Sequence, residues 1–334
     1  MTLCFPEEMD DTDRKLLLLI FGDPRMPLRE LAKRLGVSRQ AVHHRLRKLT
    51  RAGVFRHMRA AISLHYLDQP IVAIWGRSRN VSVNQVLDKL GESDLTAWAR
   101  VAGGNEILVI GGLRSVADLD GYVHFVKEAA EMPEPTIGIM NFGDGINPEC
   151  YNGGRRKDEY RRLTPLDLRI ITALQEDARM PVARIAREVG VSAKTVRRHL
   201  EIMRSEGSLD FDEPWDLPPG EDMFTMLYVS LRGGADKIEV GRRLLKIDPV
   251  HLVVVRSFSN LPSFLLGLVS SDRMCVIRDI LAKVAEDEDV SSVVPNLLYF
   301  ERMYTTWDQK LPAALARYPE MAGARRRRPE SRVG

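Results

Sequence analysis

Cysteine is scarce in this 334-residue chain: Cys4, Cys150 and Cys275 stand far apart, with no CxxC pair. That spacing excludes a disulfide-built scaffold and a cysteine-rich zinc site, leaving at most one opportunistic disulfide. Long apolar runs are missing too. None approaches the ~18 residues of a membrane-spanning helix, so no membrane association is expected. The start, Met1-Thr2-Leu3-Cys4-Phe5-Pro6-Glu7-Glu8, has no basic stretch leading into an apolar core. No secretory leader is expected there, and the cytoplasm is the expected location. Aromatics make up only 7% and do not cluster with basic residues, which argues against a sheet that stacks single-stranded bases. One sign of charge does not dominate either: 49 Lys+Arg face 46 Asp+Glu, a formal +3.

What is present suits a folded chain of about two ~100–200-residue domains, with 44% hydrophobic and 28% charged residues. The strongest organisational signal is a repeat. DPRMPLRELAKRLGVS at 23–38 reappears as DARMPVARIAREVGVS at 177–192, an offset of 154 residues without a gap. The match extends from Asp13/Asp167 to Gly53/Gly207 with twelve identities. Such a period is too long for a solenoid and indicates two copies of a two-domain protein joined head to tail.

Each copy opens with helical apolar spacing. Asp13 is expected to cap a helix through Leu16, Leu17, Leu19 and Ile20. Met26 or Pro27 starts a second helix, closed by Gly36 in the left-handed conformation. Ser38 caps a third, with Ala41, Val42, Leu46 and Leu49 inward and Gly53 at its end. Copy two repeats this from Asp167 through Gly190 and Ser192 to Gly207. Three short helices with a Gly-x-Ser turn before the last make a helix-turn-helix.

The rest of each copy follows a strand-helix-strand-strand-helix-strand order. In copy one the elements fall at 71–75, 83–90, 95–101, 107–111, 116–130 and 136–140; in copy two, at 224–231, 238–245, 251–258, 263–269, 274–284 and 293–300. The expected fold is therefore α+β: a tandem duplication of a winged-type helix-turn-helix followed by a ferredoxin-like βαββαβ domain. The chain divides into a first helix-turn-helix (10–60), a first sheet domain (61–142), a connector (143–163), a second helix-turn-helix (164–212), a second sheet domain (221–306) and a tail (307–334). The connector is rich in Gly, Pro and charge, and the tail carries a short helix near 311–316 and the run Arg325-Arg326-Arg327-Arg328. That run reads as a solvated end or as a supplementary nucleic-acid contact.

Charge becomes informative segment by segment. From Asp13 to Arg59 thirteen Lys+Arg oppose only Asp13, Asp23 and Glu30, so this segment carries +10. An excess of that size on a compact module is the footprint of a phosphate-binding surface, and double-stranded DNA is the expected partner. The third helix of such a unit places its N-terminal residues at base edges. Ser38, Arg39, Gln40, His43, His44 and Arg47 are available there; Gln40 suits adenine and Arg39 suits guanine. Arg51, Arg56 and Arg59 are better placed for phosphates. Copy two offers Lys194, Thr195, Arg197, Arg198 and His199, but its eight basic residues face six acidic ones between 167 and 209. The first unit is therefore expected to bind more strongly. An ordinary solvated basic helix is the competing reading of both. His43 and His44 diverge around the helix and have no third ligand nearby, so neither a metal nor any other cofactor is expected.

Asp13, Leu16, Leu17, Leu31-Ala32-Lys33-Arg34-Leu35-Gly36-Val37-Ser38, Val42, Leu46 and Gly53-Val54 resemble the opening module of the leucine-responsive, asparagine-regulator (Lrp/AsnC) family of transcription regulators. Trp98-Ala99-Arg100-Val101-Ala102-Gly103-Gly104-Asn105-Glu106-Ile107-Leu108-Val109 is similar to the family's second and third sheet strands, with Glu106 in place of the more usual Asp. The resemblance spans roughly 10–142 and 164–304, and the fusion of two copies is the departure. It implies a sequence-specific DNA-binding regulator, not an enzyme, that pairs through its sheet (RAM-type) domains. Here that pairing is expected within one chain, as a pseudo-dimer, with further homo-oligomers through the sheets. It also implies a cleft for an amino acid or related small effector at Gly103, Gly104 and Asn105, where a tight hairpin is the plain alternative. The matching stretch in copy two, Ser257-Phe258-Ser259-Asn260-Leu261-Pro262, lacks the glycines.

One alternative comes from a different class. Siroheme decarboxylases of tetrapyrrole biosynthesis also look like a helix-turn-helix joined to such a sheet domain, some as paired halves. Arg100, Tyr122, His124, Tyr228 and His251 are the residues available for that chemistry, though none forms a pair or triad at diagnostic spacing. Trp98 is expected to pack on the sheet. Trp215, in an acidic, proline-rich connector, is expected to dock the second helical unit onto its sheet domain.

Overall fold

In the computed structural model, residues 9–52, 58–63, 66–67, 69–141, 161–211 and 223–317 are described. The first helical unit comprises α1 (Asp11–Gly22), α2 (Leu28–Leu35) and α3 (Arg39–Arg51). The second comprises α6 (Pro165–Leu174), α7 (Val182–Val189) and α8 (Ala193–Glu206), α4 and α5 belonging to the intervening sheet domain. Gly36 and Gly190 end α2 and α7 at φ +66° and +69°, where side chains are disfavoured. Ser38 and Ser192 accept the N–H groups of Ala41 and Thr195 at 3.1 Å, as N-caps do.

The cap of the first helix differs from the expectation. Asp10, not Asp13, is the N-cap of α1, and Asp13 is the third helical residue of a capping box that reaches back to the cap's own N–H. Thr164 and Asp167 do the same for α6. The repeated aspartate marked the box but not which of its two members is the cap. Gly53 lies outside the described residues; Gly207 ends α8 at φ +69°.

After each helical unit comes a short strand, β1 (Ala60–Ile62) and β6 (Leu209–Phe211), and these pair antiparallel with each other. The first sheet domain runs β2 (Ile71–Arg77), α4 (Val83–Leu90), β3 (Thr96–Ala102), β4 (Glu106–Gly112), α5 (Leu119–Ala129) and β5 (Thr136–Ile139). The second runs β7 (Met223–Leu231), α9 (Lys237–Leu245), β8 (Leu252–Phe258), β9 (Leu261–Ser271), α10 (Met274–Ala285) and β10 (Val290–Met303). The two form one eight-stranded sheet in the order β5-β2-β4-β3-β10-β7-β9-β8. Each half has the same internal order, fourth-first-third-second, of a ferredoxin-like domain.

The halves meet along two seams of corresponding strands. Along one, β10 pairs with β3 from Leu298 to Met303. Along the other, β5 is only four residues long, and the seam reduces to the bridge Met140↔Phe258 and its neighbours. Asn141 N–H donates to Ser257 O at 3.0 Å, and Ser259 N–H donates to Ile139 O at 2.8 Å. The Asn260 side chain accepts from Ile139 N–H and donates to Ile137 O. The sheet thus curls nearly closed. Helices α4 and α5 cover the outer face of one half and α9 and α10 that of the other. The inner faces bury Trp75, Leu108, Met226, Phe258, Leu266 and Leu298 between them. The last helix among the described residues, α11 (Trp307–Arg317), is longer than the expected 311–316 and packs on the second helical unit through Leu311. The basic run at 325–328, Trp215 and most of the connector lie outside the described residues.

Candidate nucleic-acid interface

Helix α3 buries Val42 and Leu49 and leaves Arg39, Gln40, His43, His44, Arg47 and Arg51 exposed on one side. Ser38 is exposed at its cap, Arg59 is exposed just before β1, and Arg56 lies outside the described residues. Helix α8 buries Val196, Leu200 and Met203 and exposes Lys194, Arg197, Arg198 and Glu201. By the 154-residue offset, Gln40, His43, His44 and Arg47 in α3 correspond to Lys194, Arg197, Arg198 and Glu201 in α8.

Not all of the +10 excess faces outward. Arg45 donates to Asp10 at 2.8 Å and to fully buried Asp13 at 2.7 Å, with Lys48 3.4 Å from Asp13. Arg14 is buried against Asp272 at 2.9 Å, and Arg34 pairs with Glu30 at 3.0 Å. The basic surface is accordingly narrower than the count implied, because Arg14, Arg45 and Lys48 are engaged by carboxylates within the fold. His199 is a similar correction. As the counterpart of Arg45 it binds buried Asp167 at 2.7 Å instead of facing outward. Burial alone raises Asp167, but Arg161, His199 and Thr164 together hold its carboxyl below its ordinary value. Each buried aspartate ties the first helix of its unit to the third.

The two helical units grip one another through the residues the repeat preserves. Arg25 donates to the carbonyls of Ala178 and Met180, the latter at 3.1 Å. Arg179 donates to Pro24 O at 2.6 Å and Met26 O at 3.3 Å. The exchange is reciprocal, residue for residue, about a pseudo-two-fold axis. Arg204 adds an ion pair to Asp23 at 2.7 Å, and Ala178 N–H donates to Met58 O at 2.8 Å. Burial is the main cause that lowers both guanidinium pKa values from their ordinary level. The sequence showed both arginines as identical repeat positions, yet counted them among surface charges.

The Gly103–Asn105 turn is a single 3-10 turn with Gly104 at φ +71°. The Asn105 amide donates to Ser78 O at 3.0 Å and Asn80 O at 2.6 Å, which holds the neighbouring loop. Asn296 of β10 lies over Gly103, where a Cβ would approach its Oδ1 to 2.8 Å. The five residues considered for decarboxylation do not converge. Tyr122 is buried on the helix side of the first half, donating to Thr96 Oγ1 at 3.2 Å, and His124 is exposed. Tyr228 donates to Glu106, and His251 sits 3.0 Å from Asp248. Arg100 pairs with buried Glu301 at 3.1 Å across the β3–β10 seam and lies 4.1 Å over the Trp98 ring.

A cavity of about 140 Å³ opens between the inner sheet faces, beside α1. Trp98, Ile110, Met226 and Leu268 line it with Phe21, and Arg100 and Arg256 are the charged side chains on its wall. Sequence reading missed Arg256. It is the fifth residue of seven-residue β8, as Arg100 is of seven-residue β3, a correspondence hidden because the offset there is 156, not 154. Among the described residues, no three His, Cys, Asp or Glu are grouped to hold a metal, and no helix is long and apolar enough to cross a membrane.

Paired helix-turn-helix units on a shared sheet define a class, and comparison with known proteins narrows it. Residues 9–56 match the winged helix-turn-helix DNA-binding family, and residues 163–204 the AsnC-type helix-turn-helix domain. An uncharacterised HTH-type transcriptional regulator of Pyrococcus furiosus is 31% identical over 121 residues, 36% of this chain and 82% of that relative. The chain belongs to this family of HTH-type transcriptional regulators. The regulator Ptr1 of Methanocaldococcus jannaschii is 29% identical over 117 residues, 34% of this chain and 79% of its own. Homology and domain composition are those of non-catalytic regulators. Among solved structures, the siroheme decarboxylase NirDL matches 93% of this chain and 100% of its own at TM-score 0.55 and 12% identity, a likeness of fold.

Proposed function

We propose that this chain is a sequence-specific, double-stranded DNA-binding transcription regulator of the Lrp/AsnC type. Two family-like copies are fused in it, and α3 and α8 read two unequal half-sites. The observation that carries this reading is the reciprocal Arg25/Arg179 exchange, which locks two helix-turn-helix units side by side while each third helix keeps its polar face exposed. That the Pyrococcus furiosus regulator and Ptr1 each match about a third of this chain, near the length of one copy, supports the fusion. Ser38, Arg39, Gln40, His43, His44 and Arg47 read bases in the first half-site, with Arg51, Arg56 and Arg59 on phosphates. Lys194, Arg197 and Arg198 serve the second. The near-closed sheet is the scaffold that fixes the heads and receives a small effector, and Gly103, Gly104 and Asn105 are a candidate contact for it. Association into homo-oligomers proceeds through the sheet domains.

Fluorescence anisotropy on genomic DNA fragments, across a salt series, tests this. Wild type binds selected fragments at moderate salt. Arg39→Ala/Gln40→Ala/Arg47→Ala loses roughly 100-fold in affinity, since each good base contact contributes about 1–3 kcal/mol. Binding that ignores both sequence and these substitutions refutes the reading.

A further inference from the structure

We infer that the cavity between the inner sheet faces binds an uncharged, apolar molecule the size of a single ring, held by burial and fit and not by charge. Size sets the upper limit. The cavity measures about 140 Å³, close to the ~150 Å³ that admits a benzene ring in a protein interior. One ring or a branched aliphatic chain of similar bulk fits; a macrocycle does not.

The wall sets the chemistry. Leu108, Ile110, Met226 and Leu268 bring aliphatic side chains from strands of both copies, and Trp98 and Phe258 bring aromatic ones. The charged groups on the wall are already committed. Arg100 donates from Nε and NH2 to the two oxygens of buried Glu301 at 3.1 and 3.3 Å, and its guanidinium lies 4.1 Å over the Trp98 ring. Arg256 is engaged as well. No Asp or Glu side chain is among the residues that line the cavity. A ligand with a charge of either sign would therefore give up its hydration for groups that already have partners. An apolar body forfeits nothing on entry and gains contacts with a wall that otherwise faces a void.

Position gives the site its consequence. Phe21 is in the last turn of α1, and Val253 and Val254, which also line the cavity, pack with the core of the first helical unit. The counterpart of Phe21 in the second unit, Gln175, donates to Gln309 O and does not line the cavity. A ligand seated there touches both sheet halves but only the first of the two helical units. Any consequence for DNA binding rests on the regulator reading; the binding itself does not.

The full chain labelled with [¹³C-methyl]methionine provides the test, because Met140 and Met226 line the cavity while the chain has 13 methionines in all. Toluene is titrated against benzoate and benzylamine, which keep the ring and add a charge of one sign or the other. Single Met→Leu replacement assigns the two resonances. Toluene shifts Met140 and Met226 saturably, with a Kd at least about tenfold below that of either ion. Ala73→Leu and Leu268→Phe fill the cavity from opposite halves and each weaken toluene about tenfold or more, while the remaining methyl signals stay in place and show the fold intact. Three results each overturn the proposal: no saturable shift at the two methionines, a charged analogue bound as tightly as toluene, or undiminished binding in both filled variants. The first two are read on the wild type, so they decide even if a filled variant misfolds. Because the readout contains no DNA, loss of DNA binding and loss of ligand binding are separate outcomes.

Discussion

A carboxylate with no exposed surface ties α6 to α8: Asp167 accepts from Arg161 at 2.8 Å and contacts His199 at 2.7 Å. Removing its charge leaves a half-buried guanidinium facing a neutral amide. Asp167→Asn is expected to destabilise the protein by on the order of 3 kcal/mol, as broken buried pairs do, read as a lower midpoint in urea unfolding. The same contact carries a pH signature. The folded carboxyl lies below its ordinary value, so its contribution is complete above about pH 4, the unfolded value, and fades as pH falls through the folded one. Wild type minus Asp167→Asn should therefore show a stability gap that closes in acid. A gap that persists unchanged at pH 2 contradicts this account.

Among the elements, close approach decides where glycine is needed. At Gly111 in β4 a Cβ would stand 2.2 Å from the ring of Tyr122, which is buried under α5 and holds Thr96. At Gly138 in β5 the ring of Phe258 leaves 2.3 Å. Gly111→Ala is expected to cost about 1–3 kcal/mol by overpacking and to lower Tm by several degrees; an unchanged Tm would mean that Tyr122 moves freely. The Gly138 contact lies on the short seam, where β5 meets β8 from the other copy. Element type and order were legible in hydrophobic spacing, and α4 falls at the expected 83–90. Lengths were less so. Expected as a helix over 116–130, α5 begins at Leu119, because Ser115 and Asp118 close a separate 3-10 turn over Val116–Asp118. Expected over 293–300, β10 runs from Val290 to Met303, because β7 and β3 pair with it from both sides.

At the scale of the whole molecule, the reciprocal arginines hold the two helix-turn-helix units together as one body. On the proposed reading, units held at fixed spacing require DNA half-sites at one set separation, about one helical turn (~10.5 base pairs) or a multiple of it. On a selected operator, inserting five base pairs between the half-sites is expected to weaken wild type by tenfold or more. Arg25→Ala/Arg179→Ala, with the clamp gone, should lose much of that discrimination and melt in a broader transition, each lost charged hydrogen bond costing about 1.5–3 kcal/mol. Indifference of wild type to the insertion would show the heads moving independently.

By itself the sequence determined the duplication, the two helix-turn-helix units, the α+β order of both copies and the third helices as candidate DNA readers. All of these are written in local periodicity, capping residues and a repeat at fixed offset. Only the tertiary structure decided which charges face outward. Arg25 and Arg39 are indistinguishable in a list of basic residues, yet one is held by carbonyls of the other copy and one stands exposed. It also decided that the two sheets join edge to edge along unequal seams, and that Arg100 and Arg256 share one cavity. Those facts depend on contacts between residues some 150 positions apart, which local pattern does not encode.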